Sequence, residues 1–361
     1  MKITAAVSRG GDAPLAIETL ALRAPTADEV LVRVVASGIC HTDSTTREAF
    51  PPGLPIVLGH EGAGIVETVG SRVTGVSVGD HVLMTYQSCG ECAECSCDLP
   101  GYCAHWATLN AGRFGPDSPL RAGEEPVTGG FFGQSSFASH VLATTRNIVV
   151  IDPDVDLVSA APFGCAVQTG AGAVTHVLAP DASSVLAIFG VGGVGMSAVM
   201  AARTIGVGTV VAVDLSPERL ELASELGADV VIDGGDTDAA AQITALGNGG
   251  ATHALDTTGA APVIATAIDS LTARGVLAMV GLGPSTVPIE VAKLIGRGKT
   301  IRGSIEGDVN PHTYLPQLVR WHRDGQLPIE QLIRAYPLDR INDAIADAAS
   351  GAVVKPVITF S

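Results

Sequence analysis

The apolar run Val185-Leu186-Ala187-Ile188-Phe189 leads directly into Gly190-Val191-Gly192-Gly193-Val194-Gly195. A strand feeding a GxGxxG turn and then a helix opens a parallel, nucleotide-binding sheet. The glycines permit the tight turn and let the backbone approach a pyrophosphate. The free N–H groups of the following helix, from Gly193, Val194 and Gly195, add partial positive charge. Asp214 stands nineteen residues past Gly195, at the end of the next apolar run. A carboxylate there accepts hydrogen bonds from an adenosine ribose and repels a 2′-phosphate, which favours NAD over NADP. The plainer alternative is a glycine turn beside a solvated Asp.

The surrounding pattern extends this sheet. Strand-like runs at 209–213, 229–232, 252–255 and 276–280 alternate with Ala/Leu-rich segments. One of these, 217–226, has Ser216 as its N-cap and Gly227 as its stop. Alternating strands and helices give an α/β, doubly wound parallel sheet. Ahead of residue 165 the texture differs. Short β-rich runs at 30–35, 62–70 and 80–84 lie between frequent Gly and Pro, which predicts a compact β-barrel. The run 353–360 reads as a strand that rejoins this first part. A chain of 361 residues exceeds the usual size of one core. Two domains are expected, 1–165 together with 304–361, and 166–303.

The formal net charge of −16 works against phosphate backbones and anionic lipid, so neither nucleic acid nor a membrane is an expected partner. The first residues lack the apolar core of a signal peptide, and a cytoplasmic location is expected. Apolar residues make up 47% of the chain and charged residues only 16%. So little charge leaves apolar surface to be covered by self-association, as a homodimer or homotetramer.

Five of the seven cysteines fall between Cys89 and Cys103. Cys89, Cys92, Cys95 and Cys103 form C-x2-C-x2-C-x7-C, a spacing that suits a closed tetrahedral zinc site. Cys97 could compete as a ligand, and a redox-active thiol cluster is the alternative use of such crowding. A second set is dispersed: Cys40 in Gly38-Ile39-Cys40-His41-Thr42-Asp43, His60 in Gly59-His60-Glu61-Gly62, and Cys165. Two thiolates and one imidazole would leave a zinc ion one open position, a catalytic arrangement. Spacing alone does not bring the three together. Separately, two buried cysteines and a turn histidine are the ordinary reading.

Taken together, these motifs resemble the medium-chain, zinc-containing alcohol dehydrogenase family from one end of the chain to the other. The resemblance implies a GroES-like barrel domain plus a Rossmann domain. It also implies two Zn2+ per subunit and oxidation of an alcohol to an aldehyde with NAD, or the reverse. Cys40, His60 and Cys165 would hold the catalytic zinc, and the four-cysteine lobe the structural one. Asp43 would orient His60 through its other N–H. Thr42 would contact the substrate oxygen and take its proton, and Glu61 would approach the metal transiently. His41 and Lys355 fall near phosphate-contacting positions and Thr169 near the nicotinamide, and Arg219 is a further cofactor-binding candidate. Thr45 replaces a histidine that serves some members as the outer end of a proton relay, so the proton would leave through Thr42, the cofactor ribose and water. Thr45, the stretch Val57-Leu58-Gly59-His60-Glu61-Gly62-Ala63-Gly64 and the ending Gly351-Ala352-Val353-Val354-Lys355-Pro356 resemble the benzyl or aryl-alcohol branch.

Phe50, Met84, Tyr86, Trp106 and Phe114 are the apolar candidates for a pocket, and they favour a primary alcohol with an aromatic or allylic group. A thiol-adduct-dependent formaldehyde dehydrogenase is the nearest rival, but it needs a basic cluster at the pocket mouth that the sequence does not display. Polyol dehydrogenases often lack the four-cysteine lobe. From another class, a non-enzymatic cysteine redox sensor would have no use for an open zinc site.

Overall fold

The computed structural model describes residues 1–11, 13–246, 249–283 and 286–360. The chain divides into two compact units. The first holds Met1–Cys165, Asn310–Arg323 and the chain from Ile329 onward; the second holds Ala166–Val309 and Asp324–Pro328.

The first unit is built around the strand Glu29–Gly38, whose sequence EVLVRVVASG is buried at nearly every position. It pairs antiparallel with Glu61–Val69, with His140–Thr144 and with Lys355–Thr359. Its alternation serves two cores, because successive side chains leave a strand on opposite faces. Val30, Val32 and Val34 pack with Val66, Val82 and Met84. Leu31 joins Ile3, Val7, Leu20, Ile56 and Phe137 on the other side. A second antiparallel sheet runs Ile56–Val57, Lys2–Ser8, Ala16–Leu22, Leu120–Ala122, Glu125–Val127. The late strand Lys355–Thr359 lies between Glu29–Gly38 and Ile333–Pro337, so a segment from the far end of the chain completes the central sheet.

The second unit is a parallel sheet in the order Val230–Asp233, Thr209–Asp214, Val185–Phe189, Ala251–Asp256, Leu271–Met279, Thr300–Gly303. Val185–Phe189 is buried throughout, as a central parallel strand covered on both faces must be. The strand order reverses beside it, and the crevice for a ligand of such a sheet lies at that point. Helix Pro217–Glu225 starts where expected, with Ser216 Oγ accepting from the Arg219 N–H at 3.2 Å.

The return to the first unit comes at 310 and not at 304. Ser304 N–H donates to Met279 O at 3.0 Å, and the turn Glu306–Asp308 packs on helix Ala166–Gly172, so these residues stay with the parallel sheet. Residues 324–328 also belong there; Gln326 O accepts from Thr204 Oγ1 at 3.4 Å. Among the described residues no single helix is long and apolar enough to cross a membrane.

Candidate active site and metal centres

Cys40 ends the strand Glu29–Gly38 and its loop and stands as N-cap of helix His41–Ala49. His60 precedes the strand Glu61–Val69, and Cys165 follows the short helix Ala161–Gly164. Folding brings the three together: donor atoms of Cys40, His60, Glu61 and Cys165 all lie within 4.8 Å of one another. Asp43 fixes two of them. Its Oδ2 accepts from the Cys40 N–H, and its Oδ1 accepts from Gly59 N–H and from His60 Nδ1, each at 3.0 Å. With Nδ1 so committed, His60 Nε2 is the free coordinating atom; it is buried and has no hydrogen-bond partner among the described residues. Gln134 holds the same loop, donating from Nε2 to His60 O at 2.9 Å and accepting at Oε1 from Gly62 N–H at 3.1 Å.

The electrostatics point to a cation. The Cys40 thiol is held well below its usual range, by a hydrogen bond from Cys165 and, against burial, by His60 and Lys355. Burial would strip the proton from His60, but Asp43 and the Cys40 sulfur outweigh it and raise the imidazole well above its ordinary value. A two-thiolate, one-imidazole set with an orphaned, pre-oriented nitrogen fits zinc with one position open.

Glu61 and Lys355 form a buried ion pair beside the donor set. Lys355 Nζ donates to both oxygens of Glu61 at 2.9 Å and to Ile39 O at 3.0 Å. Burial pushes the Glu61 carboxyl up, with Lys355 opposing, while Glu61 and Cys40 keep the Lys355 ammonium charged against its own burial. Gly38 makes this possible, since a Cβ there would overlap the Glu61 carboxylate. Thr42 is half-buried, its Oγ1 3.7 Å from Cys40 Sγ, and His41 is exposed. Thr45 spends its hydroxyl on Thr42 O at 3.2 Å.

The four-cysteine lobe also closes. The sulfurs of Cys89, Cys92, Cys95 and Cys103 lie within 4.8 Å of one another, and Cys97 is exposed outside the group. Backbone N–H groups of Cys89, Cys92, Ala104 and His105 point at the sulfurs of Cys103, Cys89, Cys92 and Cys103 at 3.3–3.4 Å. Such N–H···S contacts stabilise thiolates, and they bring Cys92 to about 6 while burial leaves Cys95 at about 12.

In the second unit, helix Gly193–Ile205 opens the glycine turn with Gly192 as N-cap. Gly190 has φ +83°, and a Cβ on Gly195 would strike Gly190 O. A Cβ on Gly192 would meet nothing within 4 Å, so its open side is a cradle facing away from the protein's own atoms. Asp214 accepts from Val191 N–H at 2.8 Å and Ser216 N–H at 3.0 Å, which leaves each oxygen a further lone pair. Arg219 lies in the same turn region, its buried Nε without a partner among the described residues. Thr169 is buried and donates to Glu306 Oε2 at 3.2 Å.

The aromatic wall differs from the sequence expectation. Phe132 lies against His60 with ring centroids 4.5 Å apart, Trp106 meets Phe132 edge-on at 5.9 Å, and Tyr86 lies 4.8 Å from Trp106. Phe131 completes the group, 5.7 Å from His60. Neither Phe131 nor Phe132 stands out in Gly129-Gly130-Phe131-Phe132-Gly133, which reads as a glycine turn. Met84 is instead fully buried core, and Phe50 stacks on the half-exposed Phe114 without ring contact to this group.

Residues 26–153 match the model of the alcohol dehydrogenase GroES-like domain, and residues 193–323 that of the zinc-binding dehydrogenase. Geraniol dehydrogenase of Castellaniella defragrans is 42% identical across 99% of this chain and 97% of its own length. This chain belongs to the zinc-containing, medium-chain alcohol dehydrogenases. Among solved members of the family, benzyl alcohol dehydrogenase from Acinetobacter calcoaceticus is 39% identical, with a TM-score of 0.95 over the whole of both chains. S-(hydroxymethyl)glutathione dehydrogenase of Photobacterium damsela subsp. piscicida is 32% identical over the full length of both. As a family member the chain is an oxidoreductase that uses zinc and a nicotinamide dinucleotide on small alcohols.

Proposed function

We propose that this dehydrogenase oxidises primary alcohols bearing an aromatic or allylic group to aldehydes with NAD, and runs the reverse reduction. The observation that carries this reading is the aromatic wall on His60. A flat, conjugated substrate can lie on Phe132 and Trp106, beside the donor set of Cys40, His60 and Cys165. When bound, zinc supplies a Lewis acid for the alcohol oxygen and NAD the hydride acceptor.

The chain's own groups do the rest. Asp43 holds Cys40 and His60 in register. Thr42 Oγ1 takes the substrate proton at the edge of the donor set. Lys355 opposes the effect of burial on Glu61 and anchors its carboxyl group beside the donor set. The lobe of Cys89, Cys92, Cys95 and Cys103 would take a second zinc. Asp214 supports NAD over NADP by repelling a 2′-phosphate. Gly190 to Gly195 would cradle the pyrophosphate, and Arg219, in the same unit, would serve the ribose. The exposed edge strand Thr300–Gly303, with Val291 and Ile295 exposed nearby, supports self-association. Clustered free thiols fit a reducing, cytoplasmic setting.

The full-length likeness to a thiol-adduct dehydrogenase makes that the second reading. Production of NADH by the purified protein separates the two. Strong preference for benzyl alcohol or an allylic alcohol over ethanol is the expected result. Turnover only with an S-hydroxymethyl thiol would replace the first reading by the second.

A further inference from the structure

Beyond the edge strand Thr300–Gly303, the chain makes a turn that the chemistry above does not use. Glu306, Gly307 and Asp308 follow one another at φ of 54°, 75° and 55°. Two non-glycine residues in the left-handed region within three positions persist only where their surroundings impose it, and such strain gathers at ligand sites. Here the imposing partner is helix Ala166–Gly172. A Cβ on Gly307 would come within 2.6 Å of Gln168 O, and one on Gly172 within 2.7 Å of Gly307 O. The result is a carboxylate largely withdrawn from water. Glu306 is buried, and its Oε2 accepts from Gln168 Nε2 at 2.8 Å and Thr169 Oγ1 at 3.2 Å. Ser304, at the start of the same turn, is more than nine-tenths buried, and its Oγ has no hydrogen-bond partner among the described residues. The turn follows the carboxyl end of a parallel strand, the side on which such sheets bind ligands.

We infer that Glu306 is a positioning residue for the nicotinamide end of the cofactor and acts through Thr169. The inference rests on the reading of Thr169 as a nicotinamide contact. A threonine hydroxyl has one proton and two lone pairs. The Thr169 hydroxyl donates that proton to Glu306 Oε2. Thr169 is then left to present lone pairs alone, which suits the amide N–H of a carboxamide and not a group without a donor. Glu306 therefore sets the polarity of the pocket as well as the rotamer of Thr169.

The test compares dissociation constants of NADH, ADP-ribose and the reduced 3-acetylpyridine analogue, in which a methyl replaces the amide NH2. Variants are Glu306→Met, Glu306→Gln, Thr169→Val and the Met/Val double. Glu306→Met should weaken NADH about tenfold, the loss expected for one positioned hydrogen bond. ADP-ribose, which lacks the nicotinamide, should bind unchanged, and the preference for NADH over the analogue should narrow. Glu306→Gln keeps an acceptor oxygen and should stay near wild type. In the Thr169→Val background, Glu306→Met should cost nothing more. Equal weakening of NADH and ADP-ribose, no weakening of either, or an undiminished cost in that background overturns the inference. So does failure of both Glu306 variants to fold, which makes the carboxylate a requirement of the fold. A wild-type protein that does not bind NADH sinks the underlying reading instead.

Discussion

Asp43→Asn is the sharpest test of how the catalytic donors are held. The carboxylate is buried and accepts three hydrogen bonds, from Cys40 N–H, Gly59 N–H and His60 Nδ1, all at 3.0 Å. The amide offers one accepting oxygen. If that oxygen keeps Gly59 and His60, the new NH2 faces the Cys40 N–H; if it turns to Cys40, the NH2 faces the other two. Either way at least one buried donor loses its acceptor, at about 1–3 kcal/mol. The imidazole also loses the anion that raises its basicity as a ligand. Replacing an outer partner of a metal-bound histidine typically weakens metal affinity about 10–100-fold, or about 1.4–2.8 kcal/mol. Zinc per chain, measured after dialysis against chelators of graded strength, reads this directly. The four-cysteine lobe is untouched and serves as the internal reference. The expected outcome is loss of one zinc at a weaker chelator than the wild type needs, with the second retained. An Asp43→Asn protein that holds both ions as the wild type does, or loses both together, would refute the reasoning.

Two further substitutions separate ligand space from fold space in the glycine turn. Gly192→Ala should leave the melting temperature near wild type and weaken NADH binding at least tenfold, because the added methyl meets only the cradle; Gly195→Ala should lower the melting temperature, because its Cβ strikes Gly190 O. Calorimetry and cofactor titration check both. Glu29 gives a pH dependence: burial would raise its pKa, but hydrogen bonds from Arg23, the Thr26 N–H and Arg113 outweigh it and hold the group at about 2, against an ordinary 4.5. The folded value is the lower one, so this stabilisation, about 3 kcal/mol, is present above pH 4.5 and disappears as pH falls towards 2. Denaturant titrations of the wild type and Glu29→Gln over that range should converge as the pH falls; a constant gap would refute the assignment.

Much of this site is legible in the sequence because its chemistry is local. Four cysteines within fifteen residues, Cys40 three residues from Asp43, and a glycine turn between strand and helix each state a constraint within one or two turns of chain. What sequence reading missed depends on distant partners or unusual backbone. Lys355 looks like any basic residue near a strand end, and only the register of Lys355–Thr359 against Glu29–Gly38 puts it beneath Glu61. Phe132 sits at φ 51°, between two left-handed glycines, a conformation that its own residue type argues against. The late return at 310 follows from the packing of Glu306–Asp308 on helix Ala166–Gly172, which no periodicity announces.

The strand Lys355–Thr359 also sets an order of events during synthesis. Glu61 and Lys355 are 294 residues apart, and the whole parallel sheet is translated between them. Cys40, His60 and Cys165 leave the ribosome long before the cation that neutralises Glu61 beside them. Until then the central sheet lacks a middle strand, and a carboxylate destined for burial stays in water. The last pairing of the barrel, a contact of very long sequence separation and therefore slow to form, is thus the step that completes the surroundings of the catalytic donors.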